Sequence, residues 1–147
     1  MERVEIPVLH CFRCGASWSP RRTVVRICPR CKSPNWDEPR IRIPNRGSGL
    51  GFEQLIAPNR AAILAVARKY GARDLRVFGS VARYAAGPHS DVDFLVDFAG
   101  PWHGKKSRSY LMTCELESIL GRPVDIVRED ALHWFIQPQV IAEATPV

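Results

Sequence analysis

From Asn59 onward the chain switches between helical and strand periodicity. Ile63, Val66, Ala67 and Tyr70 recur at three- and four-residue intervals, which places them on one face of a helix over 59–70. Asn59 can cap the start of that helix and Gly71 stands at its stop. Leu75-Arg76-Val77-Phe78 reads as a short strand, and Gly79-Ser80 opens a short helix through Tyr84. Over 91–98, Val92, Phe94, Val96 and Phe98 alternate with Asp91, Asp93, Leu95 and Asp97, which is the period of a strand. Ser107 to Leu120 predicts a second helix, with Met112, Leu116, Ile119 and Leu120 on one stripe and Gly121 ending it. Val124-Asp125-Ile126-Val127 is another strand, and Asp130 caps a last helical segment that Pro138 should break or kink. The order helix, strand, short helix, strand, helix, strand, helix predicts a small α/β unit with helices packed on one sheet.

Upstream, Ile43-Pro44-Asn45-Arg46-Gly47-Ser48-Gly49-Leu50-Gly51 has neither periodicity, and its three glycines and one proline predict a flexible connector. The chain of 147 residues thus divides into an N-terminal module (1–43), a linker (44–52) and a larger α/β domain (53–147).

The N-terminal module holds two CxxC knuckles, Cys11-Phe12-Arg13-Cys14 and Cys28-Pro29-Arg30-Cys31, with thirteen residues between them. Two residues between cysteines let both thiolates of a knuckle face one ion, and a hairpin of about a dozen residues brings the second knuckle alongside the first. Four soft ligands predict one structural zinc ion, with no coordination position left for catalysis. A redox dithiol needs only one such knuckle. His10 adjoins Cys11 but four thiolates suffice, and His89, His103 and His133 fit no ligand spacing. Cys114, on the second helix, is expected to be a small buried apolar residue. Over residues 8–40 the segment resembles the zinc ribbons of many small bacterial and archaeal proteins, through Cys11, Cys14, Gly15, Trp18, Cys28, Pro29, Cys31 and Ser33-Pro34-Asn35-Trp36. The resemblance implies a fold held by metal, because so short a segment cannot bury much core. Trp18 and Trp36 are expected to pack beside it.

Charge separates the modules further. Residues 1–47 carry ten Lys and Arg against four acidic residues, whereas residues 48–147 carry eleven of each, so the first third of the chain holds the whole net charge of +6. Such a basic module suits nucleic acid or an acidic partner, and a solvated arginine-rich surface accounts for it equally well. Hydrophobic residues make up 46%, which fits a globular protein. No apolar run is long enough to span a bilayer and the start lacks a signal core, so the expected location is the cytoplasm, where thiols stay reduced.

The candidate chemistry lies between Val77 and Asp125. Asp91 and Asp93, two apart on a strand, project from one face, and like charges held so close repel unless a cation sits between them. Magnesium, a hard ion that wants oxygen ligands, is the natural occupant, and Asp125 offers a third carboxylate from a further strand. At Gly79-Ser80 a strand turns into a helix. Glycine allows close approach to a ligand, the helix start presents N–H groups, Ser80 adds a hydroxyl and Arg83 a charge. A turn that grips a polyphosphate beside carboxylates that hold two magnesium ions is the equipment of phosphoryl or nucleotidyl transfer.

From about Asn59 to Val147 the chain resembles the DNA polymerase beta nucleotidyltransferase superfamily, and within it the minimal nucleotidyltransferases. The resemblance rests on Lys69-Tyr70-Gly71-Ala72, Val77-Phe78-Gly79-Ser80-Val81-Ala82-Arg83, Ser90-Asp91-Val92-Asp93-Phe94-Leu95-Val96, Leu120-Gly121-Arg122-Pro123-Val124-Asp125-Ile126-Val127 and Ile141-Ala142-Glu143-Ala144. It implies a mixed-sheet α/β palm in which Gly79 and Ser80 bind nucleotide phosphates and Asp91, Asp93 and Asp125 bind magnesium. Asp125 is also placed to activate the attacking hydroxyl. The family includes the antitoxin partners of HEPN-domain toxins, and characterised members transfer AMP from ATP to a tyrosine of the toxin. One departure is Tyr84, where the family usually has glycine after the arginine; it implies a reshaped turn or a tyrosine lining the pocket. The ribbon is a second departure from the minimal plan. A rival expectation is a non-catalytic module that neutralises a toxin by occlusion and binds DNA through its basic ribbon, but a pure binding surface has no need of clustered carboxylates.

Overall fold

A computed structural model describes residues 5–42 and 46–147, which form two compact units, Met1–Arg42 and Ile43–Val147. In the smaller unit, β1 (Leu9–His10) and β2 (Ser17–Trp18) pair antiparallel around the first knuckle. The knuckle turns tightly, with Gly15 N–H on the Cys11 carbonyl at 2.9 Å and Gly15 at φ +78°. The second knuckle repeats this turn through Lys32, whose N–H meets the Cys28 carbonyl at 2.9 Å and whose φ is +62°. Trp18 and Trp36 meet edge to face, with ring centroids 5.1 Å apart.

The larger unit is a four-stranded mixed sheet in the order β5-β4-β3-β6, comprising β3 (Ala72–Phe78), β4 (Val92–Phe98), β5 (Val124–Arg128) and β6 (Thr145–Pro146). β3 pairs antiparallel with both β4 and β6, and β4 pairs parallel with β5. That parallel pair requires a crossover, and α4 (Arg108–Leu120) supplies it. Val77, Val92, Phe94 and Val96 are fully buried in one core cluster with Ile63 and Val66 of α2 (Arg60–Lys69) and Met112 and Leu116 of α4. The two helices are also tied by polar contacts, since Lys69 and the Tyr70 hydroxyl both donate to the Glu115 carboxylate, at 2.5 and 2.6 Å. Gly71 and Gly121 end α2 and α4 at φ +67° and +66°. Among the described residues, no helix is long and apolar enough to cross a membrane.

Several expectations are corrected. Pro138 does not break the last helix but starts it. The helix α5 spans Gln137–Glu143, and a proline there costs nothing because the first-turn N–H groups lack helical partners anyway. Asp130 lies instead in an isolated 3-10 turn, Glu129–Ala131. Cys114 is exposed, because a residue two positions from both Met112 and Leu116 falls on the opposite face of α4. The short α1 (Phe52–Leu55), a 3-10 turn at Ala57–Asn59 and the edge strand β6 were not foreseen. Within the glycine-rich stretch, Ile43, Pro44 and Asn45 lie outside the described residues. Gly47 to Leu50 is not loose: it is hydrogen-bonded to Arg83–Ala86.

Candidate functional site

Parallel pairing of β4 with β5 sets Asp93 directly opposite Asp125, so the two carboxylates project side by side from one face. The antiparallel partner β3 sets Phe78 opposite Asp93, which delivers the following turn, Gly79–Ala82 (α3), to the same carboxylate. Gly79 has φ +71°, and a Cβ built on it would lie 2.3 Å from Asp93 Oδ2. Glycine is therefore required twice, for the left-handed backbone and for the approach of the carboxylate. Asp91 precedes β4 by one residue rather than lying within it. Its loop is braced by Arg122, which donates to the carbonyls of Gly87 and Ser90, both at 3.1 Å, and by the Ser90 hydroxyl accepting the Gly87 N–H at 2.8 Å.

Electrostatics mark Asp93 as the centre of the group. Burial raises its pKa most, the charges of Asp125 and then Asp91 raise it further, Arg83 opposes them and Glu143 adds to them; the result is about 6. A carboxylate raised this far above its ordinary range, first by burial and then by neighbouring carboxylates, is a site that gains by taking up a cation. Asp91, Asp93 and Asp125 supply oxygen donors, the ligand type that a hard divalent ion takes.

Glu143, which the closing Ile141-Ala142-Glu143-Ala144 motif contains without a role, enters the site from α5. Its side chain is only 10% exposed; it accepts the Gly79 N–H at 3.1 Å and pairs with Arg83 at 3.2 Å. The Gly79 N–H is thus engaged inside the protein. Ser80 and Arg83, whose side chain is 40% exposed, are the other polar residues of this turn. Tyr84 keeps a positive φ of +56°, so the turn retains the backbone shape of a glycine despite the substitution. Its ring packs on Gly51 and under the Arg46 guanidinium. Asp97, on the same strand face by alternation, pairs instead with Arg73 at 3.1 Å.

In the smaller unit the Sγ atoms of Cys11, Cys14, Cys28 and Cys31 all lie within 4.8 Å of one another. Two of the separations, Cys11–Cys31 and Cys14–Cys28, are 3.8 Å. Tetrahedral zinc with Zn–S bonds of about 2.3 Å requires S···S edges of about 3.8 Å, so the four thiols fit a small zinc-binding module. Backbone N–H groups of Arg13 and Arg30 point at Cys11 and Cys28 at 3.3 and 3.4 Å, as thiolates need. Burial works to raise the Cys28 pKa, but N–H groups of Cys31 and Arg30 and the Cys31 and Cys11 thiols outweigh it and bring the thiol down to about 6. Cys14, although the Ala16 N–H lowers it, is pushed up to about 11 by burial and the other three thiols.

Residues 60–146 match the family described as nucleotidyltransferase domain, a match that leaves the cysteine unit outside. The chain is similar to a protein of Methanocaldococcus jannaschii named as a protein adenylyltransferase, with 31% identity over 86 residues, 58% of this chain and 89% of that protein. It is also similar to the protein adenylyltransferase MntA of Thermococcus cleftensis, with 37% identity over 83 residues, 54% of this chain and 78% of that protein. Among solved structures, a minimal nucleotidyltransferase aligns with a TM-score of 0.56 and 39% identity, covering 69% of this chain and all of that one. The fold is shared with a toxin-antitoxin structure containing AMP-PNP, at a TM-score of 0.51 and 21% identity, over 60% of this chain and 71% of that one.

Proposed function

The chain belongs to the nucleotidyltransferase domain family, and we propose that it transfers AMP from ATP to a tyrosine hydroxyl of a partner protein, acting as the antitoxin of a HEPN-type toxin. The observation that carries the reading is the juxtaposition of Asp93 and Asp125, in register on parallel strands, with the Gly79-Ser80 turn pressed against Asp93. The two relatives named as protein adenylyltransferases support AMP as the transferred group and protein as the acceptor.

Asp91, Asp93 and Asp125 would hold magnesium, two ions in this reading, which supplies neutralising charge for the triphosphate. The Ser80 hydroxyl donates to a phosphate oxygen, and Arg83, held at one nitrogen by Glu143, presents the rest of its guanidinium to the same group. Asp125, at the exposed edge of the carboxylate pair, accepts the proton of the acceptor hydroxyl. The acceptor oxygen bonds to the α-phosphorus, the bond from that phosphorus to the bridging oxygen of the β-phosphate breaks, and pyrophosphate leaves. An acceptor carried on another protein is supported by the relatives named as protein adenylyltransferases. The thiol cluster holds one zinc ion in a structural role, because four thiolates leave no open position.

The test is to incubate the protein and the product of the adjacent gene with magnesium and ATP labelled at either the α- or the γ-phosphate. AMP transfer puts the α label, and never the γ label, on the partner. Transfer of the γ label instead would make the protein a kinase and refute the reading; no transfer of either label would refute it as well.

A further inference from the structure

The stretch Arg46–Glu53, which but for Glu53 lies in the expected linker, carries glycines at 47, 49 and 51, and a Cβ on each would point at residues 83–86. The Gly47 N–H donates to the Arg83 carbonyl at 2.9 Å, the Gly49 N–H to the Tyr84 carbonyl at 2.8 Å, and Leu50 and Ala86 exchange both of their backbone bonds. A Cβ on Gly47 would lie 2.4 Å from the Tyr84 carbonyl oxygen, and one on Gly49 would lie 2.9 Å from that of Ala86. A Cβ on Gly51 would enter the Tyr84 ring at 2.0 Å. The bare face is therefore what allows the two backbones to meet.

Tyr84 fastens the contact. The Arg46 guanidinium stacks 3.8 Å from its ring centroid, and the neighbouring Glu53 carboxylate holds its hydroxyl above the usual phenol range. Both partners belong to the same short stretch as the three glycines. Tyr84 also holds φ +56°, a conformation that ordinarily favours glycine, so the tyrosine is kept in a position where its backbone gains nothing from the side chain.

We propose that residues 46–53 form a strap that positions the phosphate-gripping turn, with Tyr84 as its peg. By binding the carbonyls of Arg83 and Tyr84, the strap fixes the backbone from which the Arg83 guanidinium reaches the triphosphate. Glu143 holds that guanidinium from the other side. The inference rests on the reading of Arg83 as a phosphate contact, and Tyr84 acts through Arg83 as a positioning residue.

The test is a double-mutant cycle on ATP affinity, measured by calorimetric titration of the full chain in magnesium. Arg83→Ala weakens binding on the order of tenfold, the scale of one lost charge-assisted hydrogen bond. Gly49→Val, whose side chain meets backbone that cannot give, produces a similar loss alone but no further loss in the Arg83→Ala background. Tyr84→Gly introduces no clash and relieves the backbone, so it reads the same coupling should Gly49→Val fold poorly. It also speeds amide exchange at Gly47, Gly49 and Leu50, whereas Tyr84→Phe, which keeps the ring, binds within about twofold of wild type. Wild-type affinity in both Gly49→Val and Tyr84→Gly, or losses that add to that of Arg83→Ala, would overturn the strap while leaving the phosphate reading intact. Wild-type affinity in Arg83→Ala would overturn the phosphate reading, and the strap with it.

Discussion

Gly79→Ala separates the folding role of the turn from its catalytic one. The new Cβ would stand 2.3 Å from Asp93 Oδ2, whereas ordinary contacts begin near 3.4 Å, so the carboxylate must retreat by about 1 Å. As the far end of a side chain it can do so without unfolding the sheet. The remaining cost to folding is the positive φ of +71°, about 1–2 kcal/mol for a residue with a Cβ. For a unit of this size that is a drop of roughly 5–10 °C in melting temperature. On the proposed mechanism the cost to chemistry is larger, because Asp93 is the carboxylate at the centre of the proposed metal site. A displacement of about 1 Å at a reacting centre lowers turnover by roughly a hundredfold. The assay pairs thermal denaturation with pyrophosphate release in the presence of the partner. A folded Gly79→Ala variant with turnover within a few-fold of wild type would refute the reasoning, since it would mean that the contact between turn and carboxylate has no part in catalysis.

Purified protein should hold one zinc per chain; Cys28→Ser should release it and loosen the N-terminal unit while the α/β unit still melts cooperatively, and Cys114→Ser should retain it, as metal analysis and calorimetry can check. In magnesium-free buffer, folded Asp93 keeps its proton up to about pH 6 whereas the unfolded chain loses it near 3.8, so the contribution of this group to stability is present below that window and lost as pH rises through it. Melting temperatures of wild type relative to Asp93→Asn should fall across pH 4 to 6, and a flat difference would count against the burial and crowding of Asp93. Glu143→Ala leaves the Gly79 N–H and Arg83 without their shared acceptor and should destabilise by about 1–3 kcal/mol, while Glu143→Gln, which keeps an acceptor oxygen, should cost less, as chemical denaturation would show.

The elements legible in the sequence were those whose signal is local. Alternation placed Val92, Phe94 and Val96 on the core face of β4, Gly71 and Gly121 stopped their helices, and the two CxxC spacings brought four thiols together. Asp93 and Asp125 were legible as a pair of strand carboxylates, although their register comes only from the parallel pairing. What escaped was set by contacts distant in sequence. Thr145–Pro146 is too short to show a period and is a strand only because β3 offers it an edge. Glu143, though part of the closing motif, has no assigned role until α5 folds back on Gly79 and Arg83, sixty or more residues before it in sequence. By composition the glycines at 47, 49 and 51 read as flexible, whereas each presents a bare face to residues 83–86. Only the position of Tyr84 shows what that face is for.

The central claim, catalysis of AMP transfer at the Asp91–Asp93–Asp125 cluster, is tested most directly by intact-mass spectrometry of the partner protein after incubation with ATP, magnesium and each variant. Wild type and Asp97→Asn, whose carboxylate pairs with the exposed Arg73, should add the mass of AMP to the partner. Asp93→Asn and Asp125→Asn should leave it unmodified while remaining folded and bound to it. A partner modified by Asp93→Asn as fully as by wild type would contradict the account.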